Sequence, residues 1–426
     1  MFLEKEGKLI YSYDGETVCI EAWGKDALRV RATKNRSFTG RDWALEAKDA
    51  HAGEVEIFED PSAKGGAFAN MYEGTDTSYG KITNGKLHAV IDSGSVITFY
   101  HEDGRVLLKE HFRRLRDEES MPLNIMGREY SNGVGDNFRI VARFVARKGE
   151  KIFGMGQYQQ HELDLKGCML ELAQRNSQVS VPFYLSSIGY GFLWNNPGVG
   201  QVMFANNGTE WVTESGKEID YLVIAGDTPA EIEENYMTLT GKPPMMPEYG
   251  MGFWQCKLRY WNQEQLLSVA RKYKELGVPL DVIVVDFFHW TKQGEFKFDP
   301  KYWPDVPGMC RELKEMGIQV VVSVWPTVDI YSENFEEMKE KGYLVRTEHG
   351  VPLTMLCGGN EVFFDATNPD ARTYVWEKIK KNYYDQGAKL FWLDVAEPEY
   401  SVYDSRTTVI SSEAYRKSEI FIRNII

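Results

Sequence analysis

Asp394 stands where the short apolar run Leu390-Phe-Trp-Leu393 stops at an acid and resumes as the loop Val395-Ala-Glu-Pro398. About four apolar residues bounded in this way read as a strand buried on both faces. An acid at its C-terminal end is delivered to the rim where barrel enzymes do their chemistry. The pattern recurs upstream: Asp286 and His289 follow the run 282–285, Trp325 and Asp329 follow 318–324, and Gln255 and Lys257 close 250–255. Glu397 follows Asp394. Carboxylates bind hydroxyl pairs and aromatic rings stack on the apolar faces of pyranoses, so such a rim suits sugars, and 11 Trp, 23 Tyr and 22 Phe supply rings freely. Splitting a glycosidic bond takes two carboxyl groups, about 5 to 5.5 Å apart in a retaining enzyme. Asp394 is the leading candidate for one of them.

The elements that must position these side chains change character along the chain. Residues 1–227 read as a β-rich domain. The runs 87–100 and 105–109 join across Asp103-Gly104, a good hairpin pair, and further strand-like runs lie at 27–32, 138–145, 151–153, 191–194, 201–204 and 221–224. Many short strands with few helices predict a sandwich. Thr228-Pro-Ala-Glu231 opens a short helix, and Pro243, Pro244 and Pro247 follow in a linker, 228–247, that marks a domain boundary. From 248 to 404 strand and helix alternate. Asn262 caps a helix with apolar positions at Leu266, Ala270, Tyr273 and Leu276; others are expected near 308–316, 333–341 and from Asn368 to Gly387. Strand followed by helix, repeated, means parallel strands with helical crossovers. The fold class is a multidomain β and α/β chain: an N-terminal β-sandwich, then four βα units, the first half of a (β/α)8 barrel.

With 426 residues, 43% hydrophobic and 26% charged, the composition is that of a globular protein of two or three domains. A net charge of −14 with no basic cluster argues against nucleic acid as a partner. The N-terminus lacks a basic region followed by a long apolar one, and no run reaches the roughly 18 apolar residues of a membrane span, so a cytoplasmic location and no membrane contact are expected. Cys19, Cys168, Cys256, Cys310 and Cys357 are scattered, odd in number and without C-x-x-C spacing. Neither a disulfide framework nor a metal site is indicated, and no cofactor is expected.

Several motifs together resemble a known family. Trp392-Leu-Asp394-Val-Ala-Glu397-Pro398 resembles the nucleophile segment of family 31 glycoside hydrolases, the α-glucosidase and α-xylosidase family. Gly252-Phe-Trp-Gln-Cys-Lys-Leu-Arg-Tyr260 is similar to that family's first barrel strand, and Ile283-Val-Val-Asp-Phe-Phe-His-Trp290 with Trp303-Pro-Asp305 to its second βα unit. Val322-Ser-Val-Trp-Pro-Thr327 is similar to the third, and the resemblance extends over roughly residues 140–404. It implies a retaining α-glycosidase acting on oligosaccharides, with Asp394 attacking the anomeric carbon and Glu397 orienting the nucleophile loop. Asp286 would bind hydroxyls of the terminal non-reducing sugar, Trp325 would wall it in, and Trp254, Trp290 and His289 would help line the pocket. Trp392 stands where bacterial α-xylosidases place a lysine, a departure at that hydroxyl contact, and is kept as a lining candidate. The clusters around Cys256 and His289 resemble α-xylosidases more than α-glucosidases.

Other readings of the same residues stay open. Asp286 could cap the turn that follows it, His289 could be a satisfied structural histidine, and Trp290 and Trp325 could pack in the barrel core. A carbohydrate-binding chain without catalysis, or an elimination on the same scaffold, would use the same pocket. The family's acid/base aspartate is expected on a later strand end, beyond Ile426. After Asp404 the family's signals vanish, and a one-base shift of DNA encoding FENYRY yields Ser405-Arg-Thr-Thr-Val-Ile410. Residues 405–426 are therefore expected to be read out of frame, an expectation that the coding DNA tests.

Overall fold

Alternating burial builds the first part of the molecule. In Leu87–Ile91 and Ile97–His101 every second side chain is buried and the others are half-exposed, the pattern of a sheet with one face on a core. The computed structural model describes residues 1–46, 49–59, 78–112, 126–133, 135–347, 360–396 and 410–411. These divide into two compact units between Pro243 and Pro244.

The first unit has one nine-stranded and two five-stranded sheets, all antiparallel. Their apolar faces share a core in which Tyr184, Phe192, Trp194, Trp211 and Tyr221 are fully buried. Trp211 stacks on Trp194 at 5.5 Å and on Phe192 at 5.2 Å; such pairs contribute about 0.5–1.5 kcal/mol each beyond their burial. Several charges are taken into the interior, among them Arg29, which reaches Asp220 through Nε at 3.0 Å and Nη2 at 2.6 Å, and Asp42 through Nη1 at 2.8 Å. Fork-on-carboxylate pairing is what makes a buried guanidinium tolerable.

The run 87–100 is two strands, not one. Asp92 Oδ1 accepts from the Val96 amide at 3.0 Å and Ser95 takes φ +68°, so Asp92-Ser-Gly-Ser95 makes a turn that apolar content alone conceals. The Asp103-Gly104 turn joins Ile97–His101 to Val106–Lys109, with Asp103 Oδ1 accepting from the Arg105 amide at 2.9 Å. The helix Pro229–Thr240 starts where its cap lies, Thr228 Oγ1 accepting from the Glu231 amide at 3.2 Å. It packs Ile232, Tyr236 and Leu239 onto Phe183, Leu193 and Trp23 of the first unit.

The second unit carries the alternation. Four parallel strands, Trp254–Gln255, Val282–Val285, Gln319–Val324 and Leu390–Leu393, lie side by side in chain order. The helices Gln263–Glu275, Val306–Glu315 and Pro369–Ile379 start at Asn262, Asp305 and Asn368, whose side chains accept from amides of the first turn. The first strand is shorter than the expected 250–255, because Glu248–Met251 forms a 3₁₀ turn and Gly252 is pressed against the Asp281 carboxylate, which holds the Phe253 amide at 3.0 Å. The third crossover holds a short helix, Phe335–Glu340, and a small unforeseen ribbon, Thr327–Asp329 with Glu361–Phe363. Among the described residues no helix is long and apolar enough to cross a membrane. Glu397, Cys357 and the tail, apart from the strand Ile410–Ser411, lie outside the described residues.

Candidate active site

Strand alternation decides which side chains can meet. Ile283, Val285, Val320, Val322, Val324 and Phe391 pack with the helices, whereas Val282, Val284, Val321 and Leu390 pack together on the opposite face. In register, Trp254 pairs with Val282, Val282 with Gln319, Val321 with Leu390 and Ser323 with Trp392. With a period of two, that second face continues through Cys256, Asp286, Trp325, Trp392 and Asp394. The strands therefore bring both aspartates and three of the candidate tryptophans to one side of the sheet.

Asp394 is held at both oxygens. Oδ2 accepts from Trp325 Nε1 at 3.2 Å, and Oδ1 from the Val395 amide at 2.9 Å; its own amide donates to the Val324 carbonyl at 3.1 Å. Val395 has φ +57°, an unfavourable place for a β-branched residue, and strain of this sort collects where a loop must present a functional group. Asp286 serves two purposes. Oδ1 accepts from the Phe287 amide at 2.7 Å, the turn-capping contact, and Oδ2 accepts from the Cys256 thiol at 3.5 Å. Burial and the Asp286 charge push that thiol up to about 11, so it stays a protonated donor at neutral pH.

The rings behave differently from one another. Trp325 is half-buried, stacked on Phe287 at 5.0 Å and edge-on to Trp290 at 5.7 Å, so it both packs and holds the carboxylate. Trp254 and Trp392 are exposed on the aspartate face, with Trp254 Nε1 donating to the Gly250 carbonyl at 3.3 Å. His289 does not line the site. Its ring is 2% exposed, Nδ1 meets the Asp286 carbonyl at 2.9 Å and Nε2 the Tyr383 hydroxyl at 2.9 Å. Both nitrogens are spent inside the protein, and burial lowers its pKa to about 4. The expected sugar contact is replaced by a support: neutral His289 fixes the backbone of Asp286. Tyr383 reaches it from the π-type turn Lys380–Tyr384, an irregularity that periodicity did not disclose. Asp329 ends a strand of the small ribbon, its Oδ1 accepting from the amide of Tyr331 just beyond it at 2.8 Å.

Sequence reasoning passed over Phe287, Phe288, Arg259 and Trp261. Phe288 is exposed with φ +61°, and its carbonyl accepts from Arg259 Nη1 at 3.1 Å; no motif of adjacent residues signals that contact. A cavity of about 510 Å³ bounded by Glu295, Trp303 and Asn382 shares no lining residue with the aspartate group. Strand-end chemistry, not cavity size, marks the site. Among the described residues no group of three or more His, Cys, Asp or Glu is placed to hold a metal ion.

Comparison with known proteins bears on what such a rim is for. The glycosyl hydrolases family 31 TIM-barrel domain matches residues 243–423, and the glycosyl hydrolase 31 N-terminal galactose mutarotase-like domain matches 17–202. An uncharacterized family 31 glucosidase from Pseudescherichia vulneris is 44% identical over 413 residues, 94% of this chain and 75% of that protein. Alpha-xylosidase A of Aspergillus niger is 31% identical, covering 90% of this chain and 52% of the relative. A family 31 α-xylosidase from a soil metagenome, solved with xylose, superposes with a TM-score of 0.86 at 49% identity, over 95% of this chain and 59% of that one. The chain thus spans three quarters of one relative and little more than half of the other two. With a β-sandwich preceding a parallel sheet that presents two aspartates at its strand ends, and with these relatives, the chain belongs to glycosyl hydrolase family 31.

Proposed function

We propose that this chain carries the sugar-binding and nucleophile side of a retaining α-glycosidase that removes terminal non-reducing α-linked xylose from oligosaccharides. One observation carries the reading: Asp394 ends a parallel strand with Oδ2 held by Trp325 and Oδ1 by the Val395 amide, on the sheet face that also bears Asp286. A carboxylate fixed by two donors keeps free lone pairs in a defined direction, as attack on an anomeric carbon requires. Asp394 forms a glycosyl ester, the leaving oxygen departs, and water then releases the sugar with its configuration retained. Asp286 accepts hydroxyls of the bound sugar while the Cys256 thiol and the Phe287 amide hold its own oxygens. Trp325 walls the sugar, with Trp290 behind it and Trp254 and Trp392 as flanking rings. Glu397 keeps from its motif the task of orienting the loop after Asp394.

An ordinary sugar leaving group needs a proton donor, a role assigned to no residue here, and general acid catalysis commonly supplies about 10²- to 10⁴-fold. An activated aryl α-xyloside needs none, so aryl alcohol release reports on Asp394 alone. The expected result is release by the wild-type chain and none by Asp394→Ala. Binding of xylose without release would favour a carbohydrate-binding protein instead. The 44% identity to a protein named a glucosidase favours α-glucosidase as the second reading; faster release from the aryl α-glucoside than from the xyloside would select it.

A further inference from the structure

We propose that the cavity of about 510 Å³ in the second unit is a separate, non-catalytic sugar site that takes a neutral pyranose such as xylose. The choice of ligand rests on the reading of this chain as a sugar-cleaving enzyme. The volume lies within the roughly 300–1,000 Å³ of small-molecule sites. Glu295, Lys297 and Phe298 line it from the segment that follows the second barrel strand, and Asn382 and Gln386 from the turns that follow the helix Pro369–Ile379. Trp303 completes the apolar part. Phe298 is locked in place, its ring 4.9 Å from His289, 5.3 Å from Trp303 and 5.1 Å from Tyr383. The apolar lining is thus preformed by core packing rather than by loose surface rings.

A surplus of acceptors marks the cavity. Glu295 is 7% exposed, and its Oε2 is buried without a hydrogen bond. Lys297 Nζ stands 3.6 Å from that oxygen, beyond hydrogen-bond length, and is drawn instead to Glu333 at 2.6 Å. A buried carboxylate oxygen left without a donor is costly, so a donor arriving from outside is favoured. Asn382 spends its Nδ2 on the Phe296 carbonyl at 3.0 Å, and Gln386 its Nε2 on the Lys381 carbonyl at 3.3 Å. Neither amide oxygen accepts from a described residue, so both add acceptor capacity. Such a lining calls for a ligand with several donors on a compact apolar frame. A pyranose has both: its hydroxyls donate to the oxygens while its C–H groups meet Phe298 and Trp303. An anion would be repelled by Glu295, and a cation would compete with Lys297, already beside that carboxylate.

Titration calorimetry of the full chain with xylose tests the assignment. The expected result is two binding events in the wild type, of which Asp286→Ala removes one and keeps the other. Glu295→Gln, which preserves shape but not charge, weakens the retained event about tenfold, the loss of one hydrogen bond to a charged group. Gln386→Trp, which fills the cavity, abolishes it. Both variants release aryl alcohol from the aryl α-xyloside at the wild-type rate. A single event that Asp286→Ala removes and Gln386→Trp leaves intact overturns the cavity site while the reading of Asp286 stands. A single event that Gln386→Trp removes and Asp286→Ala leaves intact supports the cavity and overturns the reading of Asp286. Competition by putrescine, a diammonium without hydroxyls, for the event that depends on Glu295 makes this a cation site and overturns the sugar. Absence of any binding to the wild-type chain overturns both.

Discussion

Acidification provides a quantitative test of the support beneath Asp286. His289 is buried between the Asp286 carbonyl and the Tyr383 hydroxyl, and burial lowers its pKa from the ordinary 6.5 to about 4. Because the folded-state value is depressed, the unfolded chain takes up a proton first as pH falls below about 6.5. The full contribution is therefore present above that pH and is lost progressively down to about 4. For one site the loss is 1.36 kcal/mol times the logarithm of the ratio of proton-binding terms in the two states, about 1.4 kcal/mol at pH 5.5 and about 2.5 kcal/mol at pH 4.5. Urea unfolding of wild type and His289→Gln between pH 7.5 and 4.5, followed by tryptophan fluorescence, isolates this share because every other group titrates in both proteins. The wild type is expected to lose about 2.5 kcal/mol more than the variant over that interval. A gap between the two proteins that stays constant within about 0.5 kcal/mol would refute the claim that His289 is held neutral, and with it the account of how Asp286 is supported.

Two substitutions probe other links. Trp325→Phe keeps a ring against Phe287 and Trp290 but removes the donor to Asp394; a hydrogen bond to a charge is worth about 1.5–3 kcal/mol, and since Trp325 is half-buried the lower end applies, so aryl xyloside kcat/KM should fall about tenfold. An unchanged rate would mean that the indole does not orient the nucleophile. Arg29→Met leaves Asp220 buried at 1% exposure without its cation, and breaking a buried pair this way costs about 3–5 kcal/mol. Calorimetric melting should show the loss, and an unaltered melting temperature would contradict the burial of that charge.

Much of the fold was legible because it is written locally. Asn262, Asp305 and Asn368 cap helices within three residues of themselves, and the apolar runs 282–285 and 390–393 become parallel strands, the first buried throughout as expected, the second at the edge of the sheet with Trp392 and Leu393 exposed rather than buried on both faces. The exceptions were local as well: Asp92-Ser-Gly-Ser95 broke a strand that apolar content made continuous, and Glu248–Met251 tightened into a 3₁₀ turn. The candidate site was legible as a set of strand-end residues, not as an arrangement. Asp394, Asp286 and Trp325 share a face because of strand register between segments far apart in the chain, 69 residues in the case of Trp325 and Asp394, which no spacing states. The roles divided within one segment: in Asp286-Phe-Phe-His289 the acid faces the site, one phenylalanine stacks on Trp325, the other stands at the rim, and the histidine turns inward to Tyr383. Sequence determined the alternation of strand and helix, the family and the acids at the strand ends, since each depends on residues close along the chain. Tertiary structure alone decided that the histidine supports rather than binds, that Cys256 donates to Asp286, and that Arg259 links two loops beside an exposed indole. Those outcomes depend on which distant backbone supplies the nearest donor or acceptor, and only the closed packing of strands fixes that.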